Sequence, residues 1–283
     1  MNLKNSLNSF ISNKLGYRTL NRSQEHIGPY RFSVVPESLR KSDYDDAWLV
    51  MAGHNHKFIV DVGCNMGQSS LLLLSNTTVE KILLCDPNPA ALAIAAENLI
   101  YNQLIDKADF ICSLIGNKQE DQVRFYTTGT GAAGSLYLEN AHTAKKKHDY
   151  ITSSMQTLDA LVSKLSWVPD FIKIDVEGAE FLVLEGAQKL VQKSPATFLV
   201  EMHSSASLSM SQNTDLVLGW CRKVGYRAWY LKDKIEVTHS NQVAKRGRCH
   251  ILLLPQTKIF PPYLQGIAQS HSVDELFTKE LST

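Results

Sequence analysis

The chain has 283 residues, of which 44% are hydrophobic, enough for one large core and too apolar for wholesale disorder. A formal net charge of +1 gives no electrostatic footprint for a nucleic-acid binder, and no apolar run reaches the length of a membrane span. Five cysteines without zinc spacing or a disulfide framework read as reduced, buried thiols of a cytoplasmic protein, with Cys64, Cys85 and Cys112 in or beside apolar runs.

Taken in chain order, Leu3, Leu7, Phe10, Ile11 and Leu15 recur at helical spacing and predict a helix docked on the rest of the molecule. Residues 1–55 read as an N-terminal helical extension. Its Tyr30, Phe32, Tyr44 and Trp48 suit stacking on a sugar or apolar ring, so the extension is expected to contribute to an acceptor pocket. From residue 57 short apolar runs alternate with helical segments. KFIVDV (57–62), KILLCD (81–86) and ADFICSLI (108–115) read as strands, with helices after the first two. This alternation predicts βαβ units, a parallel sheet and helices on both faces.

The pattern breaks between about 116 and 150, where Gly129, Gly131 and Gly134 predict a hairpin or loop insertion. MQTLDALVSKL (155–165) restores a helix with Thr157 as its N-cap. DFIKID is the fourth strand, AEFLVLEGAQKLVQK one helix, and ATFLVEMH (196–203) the fifth strand. A helix over 214–224 leads to GYRAWYL and GRCHILLL, an expected antiparallel pair at the sheet edge. The main domain then spans residues 56–256, and 257–283 is a tail. The basic clusters Lys145–Lys147 and Lys245–Arg248 read as solvated loops.

The first strand runs into DVGCNMGQSS, where Gly63 and Gly67 let the backbone turn sharply and let a ligand approach. A dinucleotide loop would read GxGxxG; here Asn65 replaces the middle glycine and the third is missing, which weakens a pyrophosphate reading. Asp86 ends the second strand, where α/β nucleotide sites place the carboxylate that grips a ribose diol. A cofactor with a ribose, no pyrophosphate and an ammonium group fits S-adenosylmethionine better than NAD.

These stretches, with CDPNPAA and above all FIKIDVEGAEFLVLEGA followed by FLVEMH, resemble the FkbM-type family of S-adenosylmethionine-dependent methyltransferases over residues 57–254. The resemblance implies a Rossmann-like class I methyltransferase fold: a seven-stranded, mostly parallel sheet of order 3-2-1-4-5-7-6 with helices on both faces. It implies O-methylation of a hydroxyl on a sugar, glycan or secondary metabolite, a small-molecule or glycan acceptor, and no nucleic-acid partner. Carried over by position, it places Asp61, Gly63, Asn65, Gly67, Ser69 and Asp175 around the cofactor, Asp86 at the ribose and Ser113 near the adenine.

In such a sheet the first and fourth strands are neighbours, so Asp61 and Asp175 end at one pocket. Lys173 shares a face with Asp175 and needs a carboxylate, and either aspartate can serve. Glu177 and Glu180 fall at a helix start, where the dipole tolerates them. Glu201 and His203 share a face at the end of the fifth strand. Methyl transfer to an alcohol requires alignment and removal of one proton. His203 is the expected base, polarised by Asp175 or Glu201. A divalent cation held by Asp175 and Glu201 is the alternative device, although two carboxylates are few for such a site. An NAD-dependent oxidoreductase and a non-catalytic nucleotide-binding module are the competing functions.

Overall fold

Most of the apolar runs become strands of one sheet. The structure, a computed structural model, describes residues 22–40, 44–130, 134–205, 207–269 and 271–280. The helix expected on Leu3 to Leu15 lies outside the described residues. An antiparallel hairpin of β1 (Ser23–Ile27) and β2 (Tyr30–Val34) precedes α1 (Tyr44–Gly53), so the described part of the extension is not purely helical. Then come β3 (Phe58–Val62), α2 (Gln68–Leu74), β4 (Lys81–Cys85), α3 (Pro89–Tyr101) and β5 (Ala108–Ile111). The middle of the chain supplies β6 (Leu114–Gly116), β7 (Glu120–Phe125), α4 (His142–Lys147), β8 (Ile151–Thr157) and α5 (Leu158–Val162). Next are β9 (Phe171–Ile174), α6 (Glu180–Glu185), α7 (Gln188–Lys193), β10 (Thr197–His203) and α8 (Met210–Val224). The chain closes with β11 (Tyr226–Tyr230), β12 (Ile235–Glu236), β13 (Arg248–Pro255), α9 (Pro262–Gln265) and α10 (Val273–Glu280).

The main sheet runs β12-β11-β13-β10-β9-β3-β4-β5, eight strands against the seven expected. The extra one is two-residue β12, paired antiparallel with β11 at the edge. β5, β4, β3, β9 and β10 are parallel, while β13 runs antiparallel to both β10 and β11. The central parallel strands are buried on both faces, as near-continuous apolar runs require. One face, through Ile59, Ile82, Phe171 and Leu199, shares a core with residues of α1, α2 and α3. The other, through Val60, Leu83, Ile172 and Val200, packs with residues of α5 to α8. Each large side chain so buried contributes about 1.5–3 kcal/mol.

Three elements differ from expectation for local reasons. The third strand splits after Ile111, and Leu114–Gly116 leaves to form a second, three-stranded sheet of order β6-β8-β7. Met155 and Gln156 pair with β6 in that sheet, so the helix after them starts later; Thr157 still caps it, its Oγ1 accepting from Ala160 N at 3.1 Å. The long helix after β9 breaks at Gly186, where a Cβ would lie 2.1 Å from Gly116 O. The second half, α7, is capped from outside: the Asp159 carboxylate accepts from Lys189 N and Leu190 N at 3.0 and 2.7 Å.

The segment expected as a tail instead contributes Phe260, Leu264, Ile267, Val273 and Leu276 to the first core. Tyr126 and Ser135 bridge around the glycine-rich loop, of which 131–133 lie outside the described residues. All five cysteines are free; Cys112 is exposed, whereas the other four are buried as expected. Lys145, Lys146 and Lys147 are exposed on short α4. Among the described residues, no helix is long and apolar enough to cross a membrane.

Candidate active site

Beyond the carboxyl end of β3 the backbone turns at Gly63, with φ at +77°. A Cβ there would sit 1.8 Å from Asp175 O, so only glycine lets the ends of β3 and β9 come this close. Gly63 N and Cys64 N both donate to Cys85 O, at 2.8 and 3.2 Å. Asn65, also left-handed, donates its backbone N–H to Asp86 Oδ2 at 2.9 Å, and Asn88 N donates to Asp86 Oδ1 at 2.9 Å. Gly67 takes the N-cap position of α2. Asp61 anchors the turn from below, accepting from both Ser69 Oγ and Ser70 Oγ at 2.6 Å.

Two cavities open on this turn. The first is walled by Gly63, Asn65, Asp86, Ser113, Asp175 and Glu177, with Leu114, Phe125, Leu136 and Met155 as an apolar shelf. Asp86 keeps lone pairs beyond the two backbone N–H groups it accepts, as a diol would need. Burial pushes it up to about 6, against the opposing pull of those hydrogen bonds. Ser113 lines the same wall, but its hydroxyl donates to Ser154 O at 2.9 Å and accepts from Ser154 Oγ at 3.1 Å.

The second cavity shares Gly63, Asn65 and Asp175 with the first and adds Glu37, Arg40, Asp45, Asp46, Glu201 and His250. Ser69 faces this second space, while Asp61 and Gly67 line neither cavity and act as supports. The N-terminal part does reach a cavity, though through polar side chains. Phe32 and Trp48 are 5% and 2% exposed within the core, and Tyr30 packs against it, so these aromatics fill the interior. The side chain of Tyr44 lies outside those described.

Strand register assembles the charges. Asp61 is opposite Lys173 across β3 and β9, and Glu201 is opposite His250 across β10 and β13. The Lys173 ammonium lies 3.3 Å from Asp61 Oδ1 and 3.5 Å from Asp175 Oδ2 and donates to Gly63 O at 2.9 Å, so it uses both aspartates. Burial opposes its charge, but Asp61 and Asp175 outweigh that and raise its pKa. Glu201 meets Arg248 Nη1 at 3.0 Å, His250 Nε2 at 3.4 Å and His203 Nε2 at 3.5 Å. Burial would raise Glu201, but its histidine partners hold it well below the usual carboxylate range. Arg248 also reaches Asp45 at 2.8 Å, which draws one residue of a cluster expected as solvated into the site.

His203 differs from the base expected of it. Its Nδ1 lies 2.9 Å from Glu180 Oε1, and its Nε2 lies 3.6 Å from Glu177 and 3.5 Å from Glu201. Burial disfavours the charged ring, but the hydrogen bonds to Glu180 and Glu201 and the neighbouring charges prevail and push it up to about 12. With carboxylates at both nitrogens the ring favours its doubly protonated form, which has no lone pair with which to accept another proton. Glu180, fully buried, is more than a dipole-matched helix start: it also accepts from Gly178 N at 2.8 Å and Asn213 Nδ2 at 3.2 Å.

The groups among the described residues close enough to share a cation are Asp45, Glu201 and His250, and Asp175, Glu177 and His203; Asp175 and Glu201 do not form such a group together. In the first the Arg248 guanidinium already bridges both carboxylates, and in the second His203 Nδ1 is already engaged by Glu180. Asp45, Arg248 and His250 were missed in the sequence. Only a histidine inside the apolar run RCHILLL signalled them.

A doubly wound sheet that ends in an antiparallel strand, β13, inserted between β10 and β11, with a glycine turn and a strand-end carboxylate at one cavity, is a class I methyltransferase fold. Residues 61–228 match the methyltransferase FkbM domain, and the chain belongs to that family. No curated protein matches the chain in sequence. Among solved structures it is similar to methyltransferase FkbM from Methylobacillus flagellatus, at 16% identity and a TM-score of 0.44, over 70% of this chain and 43% of that one. It thus spans less than half of that protein. Similar too are M. jannaschii TYW2 in complex with AdoMet (10% identity, TM-score 0.46, 84% and 86% of the two chains) and cofactor-bound Rv0187 from MTB (13%, 0.43, 77% and 82%).

Proposed function

We propose that the protein is an S-adenosylmethionine-dependent O-methyltransferase acting on a hydroxyl of a sugar, glycan or secondary metabolite in the cytoplasm. The observation that carries this reading is the meeting of two cavities at Gly63, Asn65 and Asp175: one with a carboxylate and an apolar shelf, the other rich in hydrogen-bonding side chains. Asp86 would hold the ribose hydroxyls, Leu114, Phe125 and Met155 the adenine face, and the Gly63 turn the methionine end. The cofactor supplies an activated methyl on a sulfonium.

The protein's own task is alignment and removal of the acceptor proton. Glu37, Asp45, Asp46 and Glu201 offer acceptors to a polyhydroxylated molecule, and Arg40 offers donors. The missing glycines of the dinucleotide fingerprint disfavour an NAD-dependent oxidoreductase.

Calorimetry with S-adenosylmethionine, its demethylated product and NAD tests the cofactor. Binding of the first two without the third is expected, and the reverse pattern refutes the reading. A screen of glycans and hydroxylated metabolites with methyl-labelled S-adenosylmethionine then identifies the acceptor.

A further inference from the structure

Four carboxylates converge on His203, and three of them are already engaged. Asp175 faces Lys173 at 3.5 Å. Glu180 is held by Gly178 N, Asn213 Nδ2 and His203 Nδ1. Glu201 faces Arg248, His250 and His203. Glu177 differs. Its carboxylate accepts no hydrogen bond from the described residues, and its one ion-pair contact is the 3.6 Å approach of His203 Nε2. It lines the first cavity beside Asp175, and its side chain is 31% exposed.

The backbone holds it there deliberately. Glu177 has φ at +53°, a left-handed conformation uncommon for a non-glycine residue, and Gly178 follows at +104°. Glu177 O accepts from Ser135 Oγ at 2.8 Å and Asn140 Nδ2 at 2.7 Å, both from the loop that precedes α4. A regular helix start would not require these bonds, which fix the residue at the cavity wall.

We infer that Glu177 is the proton acceptor of the methyl transfer, with the His203 imidazolium as the positioning residue that holds its carboxylate. This rests on the methyltransferase reading given above. The acceptor O–H bond breaks with its proton passing to a Glu177 Oε, a new O–CH₃ bond forms, and the S–CH₃ bond of the sulfonium breaks to leave a neutral thioether. Glu177 is suited to it, because burial pushes its carboxyl up to about 7. His203 from β10 opposes that rise, while Asp175 after β9, Glu201 on β10 and Glu180 on α6 reinforce it.

Carbon-13 NMR of protein labelled at the glutamate Cδ, with Glu177 assigned through E177Q, tests the inference without any acceptor. The Glu177 resonance should titrate near pH 7, and titration near the ~4.3 of a free glutamate overturns the inference. A second arm measures methyl transfer from labelled S-adenosylmethionine to a panel of methyl glycosides. At saturating S-adenosylmethionine, E177Q should lose about 10²–10⁴-fold in turnover. Undiminished turnover overturns the assignment, and if no glycoside is methylated the titration alone decides. A protein that does not bind S-adenosylmethionine at all refutes the methyltransferase reading. Binding combined with a low-titrating Glu177 refutes only the proton-acceptor role.

Discussion

The Lys173 ammonium and the Asp61 carboxylate meet at 3.3 Å beneath the glycine turn, with Asp61 fully buried and the Lys173 side chain only 10% exposed. This pair ties β3 to β9, and the Lys173 bond to Gly63 O carries the tie into the turn. Removing the cation strands two carboxylates in a largely dry site. K173M should therefore cost about 3–5 kcal/mol in urea unfolding. The folded pKa of Lys173 is raised above 10.5, so the pair's contribution is fully present below that pH and is lost only as pH rises through the folded value. Stability independent of Lys173 across neutral pH would contradict this account.

Gly63 tolerates no side chain. G63A places a Cβ 1.8 Å from Asp175 O and forces a residue with a Cβ to φ +77°. The backbone conformation alone costs roughly 1–2 kcal/mol, and relief of the clash must separate β3 from β9. The expected result is a lowered melting temperature together with loss of S-adenosylmethionine binding. A variant with normal values of both would show that the turn is not the cofactor platform.

Asp86 gives opposite pH dependences for folding and for binding. Its folded pKa of about 6 exceeds the model-compound 3.8, so its protonated form favours the fold; that contribution is complete below 3.8 and lost as pH rises through about 6. Binding of a ribose diol prefers the carboxylate, so affinity should fall as pH drops below about 6. D86A removes charge-assisted hydrogen bonds worth roughly 1.5–3 kcal/mol each, so calorimetry should show at least about tenfold weaker binding. An unchanged affinity refutes the ribose assignment.

His203 should behave as a structural cation. H203A leaves Glu180 buried with its nearest positive partner gone, at about 3–5 kcal/mol. Because the ring is raised from 6.5 to about 12, its stabilising contribution is complete below 6.5 and declines as pH rises through about 12. Chemical denaturation of H203A should show the loss at neutral pH, and NMR of the intact protein, with the His203 ring assigned through H203A, should show that ring not titrating near 6.5. A His203 that titrates there would restore it as a base.

Much of the site was legible because it sits at strand ends. The periodicity of FIVDV and FIKI placed Asp61, Lys173 and Asp175 together, and the glycine turn with Asp86 marked a cavity that the structure contains. Roles were less legible than positions. His203 looked like a base because it follows Glu201 by two residues. Its charge state depends on Glu180, twenty-three positions earlier in the chain and brought to Nδ1 only by the packing of α6. The aromatics of the N-terminal part looked like a sugar platform, since composition does not reveal which face of β2 and α1 meets the core.

The sequence by itself determined the strand-helix alternation, the bend at Gly63 and the residue types at the strand ends, because these follow from local backbone sterics and hydrophobic period. Tertiary structure decided which carboxylates are paired and which is not. It brought Arg248 and His250 across β13 to Glu201, drew Lys173 between two aspartates, and left Glu177 facing a cavity with a single distant cation. Proton affinity is set by burial and by charges within a few ångströms, and those neighbours come from segments far apart in the chain.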